Sequence, residues 1–154
     1  MPRLTRRFLL VAAGGATLAG AGAFGATWFN VGARNDGSGL LSPPDAHAAA
    51  AAGEVLLVDI RRPDEWRRTG LGAGAQPLDM RRPDFPQALA ALVQGDIAAP
   101  IALICARGVR SRRLSAALAE AGFTNIIDIP EGMLGSGAGP GWLARGLPVT
   151  IWQG

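Results

Sequence analysis

Short apolar runs alternate with amphipathic segments along residues 54 to 129 of this chain. The apolar runs of strand length are EVLLVDI (54–60), AQPLDM (75–80), PIALIC (100–105) and TNIIDI (124–129). The segments with helical spacing are PDEWRRT (63–69), PDFPQALAALVQG (83–95) and SRRLSAALAEAG (111–122). Strands and helices that alternate in this order form a parallel sheet with helices on both faces. The pattern therefore predicts an α/β domain.

A short internal repeat marks two places where a predicted strand passes into a helix. The copies are DIRRPD (59–64) and DMRRPD (79–84), and Pro63 and Pro83 suit the first turn of a helix. Turns of this kind gather at the carboxyl ends of parallel strands, which is the edge where ligands bind in open α/β sheets. The run PIALIC places Cys105 at the same edge, so we expect a site there.

The arginines of the repeat have two interpretations. They are Arg61, Arg62, Arg81 and Arg82. They can raise the local concentration of an anionic ligand at the sheet edge, or they can form ion pairs with neighbouring acids. The nearest acids in the sequence are Asp64, Glu65 and Asp84. Both interpretations remain open at this point.

The N-terminal segment has the layout of an export signal. Arg6 and Arg7 precede residues 8–33, which carry no charge and are rich in Ala and Gly. The adjacent arginines resemble a twin-arginine signal, with candidate cleavage points after Ala23 or Ala33. Because the uncharged stretch exceeds the ~20 residues that span a bilayer, the alternative is an uncleaved anchor in the inner membrane. Either interpretation predicts a periplasmic body, with contact to the membrane only if residues 8–33 remain attached.

The remainder of the chain divides into a linker over residues 34–50 and a domain over residues 51–154. The linker, rich in Gly, Ser and Pro, leads into a short helix near Pro44 and Asp45. His47 lies in this helix, is the only histidine, and is predicted to be a surface residue without a catalytic role.

The distribution of charge argues against a nucleic-acid-binding function. The formal net charge is +3, but three of the fifteen basic residues lie before residue 8 and all twelve acidic residues lie after residue 33. The remaining twelve basic residues equal the acids in number, so the body is neutral. Recognition of nucleic acid requires a clustered basic face, which the sequence does not show.

The segment CARGVRS (105–111) contains the only cysteine, which cannot form an internal disulfide. An ordinary thiol is mostly protonated at neutral pH, so a nucleophilic cysteine needs surroundings that favour the thiolate. Ser111 is a good N-cap for the following helix, and Gly108 lets backbone N–H groups curl into an anion-binding nest. Arg107 and Arg110 add positive charge. The alternative is an inert thiol at the end of a buried strand.

Four motifs in this order resemble the rhodanese-like family of sulfurtransferases. CARGVRS resembles the family's active-site loop, Cys-x-x-Gly-x-Arg-Ser, and LLVDIRRPDEW (56–66) resembles its strand carrying Asp-x-Arg followed by an acidic and an aromatic residue. GLGAGA (70–75) lies where the family has Gly-His-x-x-Gly-Ala, and GWLARGLPV (141–149) resembles its closing segment. The resemblance covers about residues 51 to 150.

The resemblance implies a five-stranded parallel sheet with helices on both faces and a cysteine that cycles through a persulfide. Cys105 would accept sulfur from a small anionic donor such as thiosulfate and pass it to cyanide or a thiol, without a metal or other cofactor. The cradle around the sulfur would consist of Ala106, Arg107, Gly108, Val109, Arg110 and Ser111. Asp59 and Arg61 match positions that shape the site in the family.

Two departures from the family pattern affect the expected substrate. Leu71 replaces the family's histidine, and PEGMLGSGAGPGW (130–142) is longer than the usual link and forms a glycine-rich loop that could border the site.

Two other functions compete with catalytic sulfur transfer, and the second hypothesis is a non-catalytic persulfide carrier for another exported protein. The third is oxyanion chemistry like that of related phosphatases and arsenate reductases. Their loops have five residues between Cys and Arg, whereas this chain has four between Cys105 and Arg110.

Overall fold

The computed structural model describes residues 39–154, which form five helices and six short strands. The helices are α1 (Pro43–Ala51), α2 (Pro63–Thr69), α3 (Phe85–Leu92), α4 (Val109–Glu120) and α5 (Gly141–Ala144). The strands are β1 (Leu56–Asp59), β2 (Leu71–Gly72), β3 (Gln76–Pro77), β4 (Ile101–Ile104), β5 (Ile126–Asp128) and β6 (Val149–Thr150). The predicted export signal or anchor lies outside the described residues. Among the described residues, no helix has the length and hydropathy needed to cross a membrane.

Four of the strands form a parallel sheet in the order β3-β1-β4-β5. The two central strands pair over their whole length, from Leu56 opposite Ile101 to Asp59 opposite Ile104. Strands β2 and β6 form a separate antiparallel ribbon, in which Leu71 pairs with Thr150. The predicted α/β fold with a parallel sheet is confirmed.

The sheet has four strands rather than the five that the resemblance implied. A single parallel bridge between Leu40 and Asp128 occupies the edge next to β5. It does not extend into a described strand because Ser42 already caps helix α1, which begins with the Pro43 ring. Helix α1 is the short helix expected near Pro44 and Asp45; it overlaps the segment predicted as a linker, and its Ala46 is completely buried against the domain.

The two faces of the sheet each carry a hydrophobic core, because side chains of β1 and β4 alternate between them. One core packs α3 and α4 on the sheet and includes Val58, Ile60, Phe85, Leu89, Ile101, Leu103, Leu118 and Phe123. The other packs α1 and α5 on the opposite face and includes Ala46, Leu57, Ala102, Ile104, Ile129, Met133 and Trp142. The prediction of helices on both faces is therefore confirmed.

The segments GLGAGA and GWLARGLPV are packing partners. A Cβ at Gly72 would lie 2.9 Å from Cζ2 of the Trp142 ring, so the absence of a side chain lets the strand lie directly on the indole. Trp142 is completely buried, and its Nε1 donates to the carbonyl of Pro148 at 2.9 Å. Leu71 is buried beside this contact, in the ribbon with β6.

Three predicted details differ in the structure. The helix after Cys105 begins at Val109 rather than Ser111, because Gly108 takes a left-handed conformation that turns the chain two residues earlier. The second DxRRPD turn does not enter its helix at Pro83, since α3 begins at Phe85 after a further turn. His47 is half-buried rather than on the surface, because its ring packs edge-on against Trp142 at 5.5 Å.

Candidate active site

Cys105 lies directly after β4, at the carboxyl edge of the sheet, and its free thiol is buried. The backbone N–H of Gly108 donates to Sγ at 3.1 Å, and the Ser111 hydroxyl contacts Sγ at 3.5 Å. Helix α4 begins one residue after Gly108 and directs the positive end of its dipole toward this loop. The sulfur therefore has donors and a favourable dipole available for a negative charge.

Gly108 is the residue that gives the loop its shape. Its φ of 76° lies in the left-handed region, which glycine adopts without the cost of a Cβ clash. The predicted N-cap function of Ser111 is wrong: Gly108 occupies the cap position, and Ser111 lies in the first turn. The buried Ser111 hydroxyl instead lies within hydrogen-bonding distance of the Gly108 carbonyl, at 3.2 Å, and of Sγ.

Arg110 is held by an ion pair with Glu65 on helix α2. Its Nη1 and Nη2 donate to the two carboxylate oxygens at 2.8 and 2.7 Å, and the Arg62 N–H donates to the same carboxylate at 3.1 Å. Burial alone would raise the pKa of Glu65, but the hydrogen bond from Arg110 and that from the Arg62 backbone outweigh it and lower the pKa to about 2. The positive charge predicted to favour the thiolate is therefore matched by a carboxylate.

Asp59 and Arg61 form a buried ion pair below the same turn. Arg61 Nε donates to Asp59 Oδ1 at 2.9 Å, and Nη2 donates to Oδ2 at 2.7 Å. The remaining donors of the guanidinium bond to Thr69 Oγ1 at 2.8 Å and to the Gly70 carbonyl at 2.7 Å. These hydrogen bonds of the buried pair join the turn after β1 to the C-terminal end of α2, the helix that carries Glu65 in its first turn.

The repeated DxRRPD motif has a common local structure. In both copies the Asp accepts from the backbone and the guanidinium of the Arg two residues later, as in Asp59–Arg61 and Asp79–Arg81. The second Arg of each copy also has an acidic partner. Arg62 pairs with Asp64 and Glu65, and Arg82 pairs with Asp84 at 2.7 Å. All four arginines are therefore ion-paired, which is the second of the two interpretations.

The glycine-rich segment 130–142 packs against the cysteine loop. Met133 N–H donates to the Cys105 carbonyl, and Leu134 N–H donates to the Ala106 carbonyl, each at 2.9 Å. Gly132 has a φ of 69°, and a Cβ there would lie only 2.5 Å from the Ala106 carbonyl oxygen. The segment thus borders the site. In the sequence, its high glycine content was the feature that indicated this position.

Two buried acids beside the site were not identified from the sequence. Glu131 accepts from Gly141 and from Arg145 at the far side of the glycine-rich loop. Asp128 ends β5, and burial raises the pKa of its carboxyl to about 6, against a smaller lowering effect of the Ser111 hydroxyl. Neither acid has a local sequence signal, because the partners of Glu131 and Asp128 are distant in the sequence and belong to other elements.

Within residues 39–154, no cluster of three or more His, Cys, Asp or Glu side chains could hold a metal ion. The polar groups at the sulfur are one backbone amide, that of Gly108, one hydroxyl, that of Ser111, and the start of helix α4. Such surroundings suit an anionic sulfur or an oxyanion next to it.

Comparison with known families identifies the domain. The family model of the rhodanese-like domain matches residues 42–135, which is more than half of the chain. The chain belongs to the rhodanese-like family. Among curated proteins, none matches it significantly.

Solved structures share this rhodanese-like fold. A polysulfide-sulfur transferase homodimer from Wolinella succinogenes is 25% identical with a TM-score of 0.52, over 72% of this chain and 77% of that one. The thiosulfate sulfurtransferase of Pseudomonas aeruginosa is 22% identical with a TM-score of 0.58, over 74% of this chain but only 20% of that one. The human single-domain sulfurtransferase is 21% identical with a TM-score of 0.51, over 71% and 98%. The Pseudomonas aeruginosa and human structures are less than 25% identical to this chain, so these two comparisons show a shared fold only.

Proposed function

We propose that this rhodanese-like domain is a sulfurtransferase that carries sulfur as a persulfide on Cys105. The Sγ thiolate attacks the outer sulfur of a donor such as thiosulfate; the S–S bond of the donor breaks, and its electron pair leaves with sulfite. Cyanide or a thiolate then attacks the outer sulfur of the persulfide and takes it, which returns Cys105 to the thiolate. Each step exchanges one sulfur bond for another, so no external oxidant or reductant is required.

The observation that carries the proposal is the position of the thiol in its loop. The Gly108 N–H donates to Sγ at 3.1 Å, and α4 begins immediately after it. Backbone donors that are already in place stabilise charge on the sulfur without reorganisation during the reaction. The loop from Ala106 to Ser111 would form the cradle for the outer sulfur or for the donor's oxygens.

The comparisons support the same chemical class. The Wolinella succinogenes relative, at 25% identity, is described as a polysulfide-sulfur transferase. We therefore assign the donor to anions that carry sulfane sulfur, with thiosulfate as the simplest example. The acceptor would be a small nucleophile such as cyanide or a thiol.

A phosphatase-like function is the alternative with a specific similarity behind it. A Rhodopseudomonas palustris protein described as a possible tyrosine phosphatase is 27% identical, with a TM-score of 0.54, over 72% of this chain and 83% of that one. The present loop has four residues between Cys105 and Arg110, and the guanidinium of Arg110 is bonded to Glu65. Because the loop is short and its arginine is already paired with Glu65, the loop suits binding of a sulfur atom better than binding of a tetrahedral phosphate.

Export to the periplasm belongs to this proposal and rests on the sequence of residues 1–33. If the twin-arginine route operates, replacement of Arg6 and Arg7 by Lys will leave the precursor in the cytoplasm. Fractionation of cells that express the two forms measures this. Normal export of the double variant would contradict the twin-arginine route.

The catalytic proposal is tested by thiocyanate formation from thiosulfate and cyanide. Cys105→Ser removes the nucleophile with little change of volume, so transfer should be lost while the far-ultraviolet circular dichroism spectrum is retained. The matched control is Ser115→Ala on α4, one turn after Ser111, and this variant should retain transfer. Transfer by the Cys105→Ser variant at the wild-type rate would contradict the mechanism. Persulfide formation by the wild type without turnover would favour the sulfur carrier instead.

A further inference from the structure

The carboxylate of Glu131 lies at the start of the glycine-rich loop and does not contact Cys105. Its side chain is only 3% exposed and accepts from the Gly141 N–H at 2.9 Å. Arg145 donates to it through Nε at 2.8 Å and through Nη2 at 2.7 Å. One carboxylate therefore ties the beginning of the loop to its end and to the residue that follows α5.

The backbone of the loop is packed around this carboxylate. A Cβ at Gly139 would lie 2.5 Å from Cδ of Glu131, and a Cβ at Gly135 would lie 2.5 Å from the Pro140 carbonyl oxygen. Real Cβ contacts are longer than this, so side chains at these two positions would push the loop apart. The loop is therefore a compact unit whose shape depends on Glu131.

The opposite side of the loop holds a residue of the cysteine loop. The Gly135 carbonyl accepts from Nη1 of Arg107 at 3.1 Å, and Leu134 N–H donates to the Ala106 carbonyl at 2.9 Å. Arg107 is two residues from Cys105 and belongs to the loop that would form the cradle. A continuous series of close contacts thus connects the Glu131 carboxylate with the Arg107 guanidinium.

We propose that Glu131 is a positioning residue: together with Arg145 it fixes the Gly135 carbonyl, which orients Arg107 toward an anionic sulfur donor. This inference depends on the proposed function for the identity of the donor. An arginine side chain loses considerable rotamer entropy when it is held in one geometry. If the Gly135 carbonyl holds it there before the donor binds, less of that cost falls on binding.

Positioning and simple electrostatics predict opposite signs for a substitution of Glu131. Replacement of this acid by Gln removes a negative charge near an anion site, which by Coulomb's law would tighten anion binding. If Glu131 acts by holding the loop, the same replacement weakens binding, because the Gly135 carbonyl no longer fixes the orientation of Arg107. The sign of the change therefore distinguishes the two explanations.

The experiment is a double-mutant cycle on thiosulfate binding, measured by calorimetry in the Cys105→Ser background, where no turnover occurs. Glu131→Gln should raise the Kd for thiosulfate about three- to tenfold, a range common for residues within one network. In the Arg107→Gln background, Glu131→Gln should have no further weakening effect. Asp84→Asn, which removes a charge from the separate pair with Arg82, is the control and should not raise the Kd.

An unchanged or lower Kd for Glu131→Gln would overturn the proposal, as would equal weakening with and without Arg107, or no thiosulfate binding by the parent. If Glu131→Gln does not fold, Arg145 provides the same test from a partly exposed position. Arg145→Lys, which keeps the charge but cannot make the two-point contact with Glu131, should then weaken binding when Arg107 is present and have no effect in the Arg107→Gln background. Unchanged binding by Arg145→Lys would overturn the proposal. Because the readout is binding, absence of a persulfide on the wild type would count against the proposed function alone.

Discussion

The guanidinium of Arg110 and the carboxylate of Glu65 form a two-point hydrogen-bonded ion pair, at 2.8 and 2.7 Å, across 45 residues of sequence. The pair joins the first turn of α4, next to the cysteine loop, to helix α2. The family's loop arginine thus has, in this chain, an acidic partner on the helix that follows β1. Because the charges of the pair cancel, Arg110 affects the shape of the site more than its net charge.

Arg110→Gln should destabilise the fold by on the order of 1 to 3 kcal/mol at neutral pH, because it removes two charge-assisted hydrogen bonds from a largely buried carboxylate. The pKa of Glu65 is about 2 in the folded protein, below its ordinary 4.5. The stabilisation is therefore present above about pH 4.5 and is lost as the pH falls toward about 2. Urea unfolding of both proteins at about pH 7 and about pH 3 measures the difference.

The matched control for this prediction is Arg68→Gln. Arg68 pairs with Asp64 at 2.9 Å on the exposed face of α2 and should contribute little. A difference between wild type and Arg110→Gln that is equally large at both pH values would contradict the assigned ion pair.

Gly132→Ala should destabilise the protein more than Gly53→Ala does. The two glycines have similar φ values, 69° and 74°, so the cost of the left-handed backbone is the same, about 1 to 2 kcal/mol. A Cβ at Gly53 meets nothing within 4 Å, whereas one at Gly132 meets the Ala106 carbonyl oxygen at 2.5 Å. The excess cost for Gly132→Ala, measured by urea unfolding, reports the contact with the cysteine loop.

This substitution should also reduce sulfur transfer, because the Ala106 carbonyl must move to admit the methyl group. Gly53→Ala should leave transfer unchanged. Equal destabilisation by the two substitutions would mean that the glycine-rich loop does not press on the cysteine loop.

Asp128→Asn should stabilise the protein at neutral pH. Burial raises the pKa of Asp128 from 3.8 to about 6 in the folded state, so its ionisation opposes folding above that pH. Below about pH 4 the carboxyl is neutral in both states and imposes no such cost, and the cost develops as the pH rises through about 6. The difference between the two pKa values corresponds to on the order of 3 kcal/mol.

Thermal unfolding should therefore show a higher Tm for Asp128→Asn at about pH 7.5 and nearly the same Tm at about pH 4. Asp84→Asn, at an exposed position, serves as the control and should not raise the Tm at either pH. A lower Tm for Asp128→Asn at neutral pH would show that the ionised carboxylate is needed by the fold.

Arg82→Gln should not change the salt dependence of kcat/KM for thiosulfate. Arg82 is paired with Asp84 at 2.7 Å on the surface, so the pair as a whole has no net charge to attract an anion. The Debye length falls from roughly 10 Å at 0.1 M salt to roughly 3 Å at 1 M, which weakens any steering by an unpaired charge. A flatter salt dependence in the variant would mean that Arg82 steers the donor despite its partner.

The sequence predicted those features that depend on local patterns. Helix α2 begins at Pro63 and ends at Thr69, as the spacing indicated, and Cys105 lies at the carboxyl end of its strand. The start of α4 was predicted two residues late, because the backbone of Gly108 and not the Ser111 side chain caps the helix. Local propensity ranks serine above glycine at a cap, but the left-handed turn of the loop requires glycine.

The contacts that complete the site come from distant segments and have no local signal. The pairing of Arg110 with Glu65 and that of Glu131 with Arg145 depend on how α2, α4 and α5 pack on the sheet. The fifth strand was predicted through the resemblance alone, and the described residues contain only the bridge at Leu40 in its place.

The intact mass of the purified protein tests the central claim most directly. After incubation with thiosulfate, the mass should increase by one sulfur atom, and subsequent addition of cyanide should return it to the original value. The Cys105→Ser variant should show neither change. A wild-type mass that stays constant under thiosulfate, or a sulfur adduct that also forms on Cys105→Ser, would contradict sulfur transfer through Cys105.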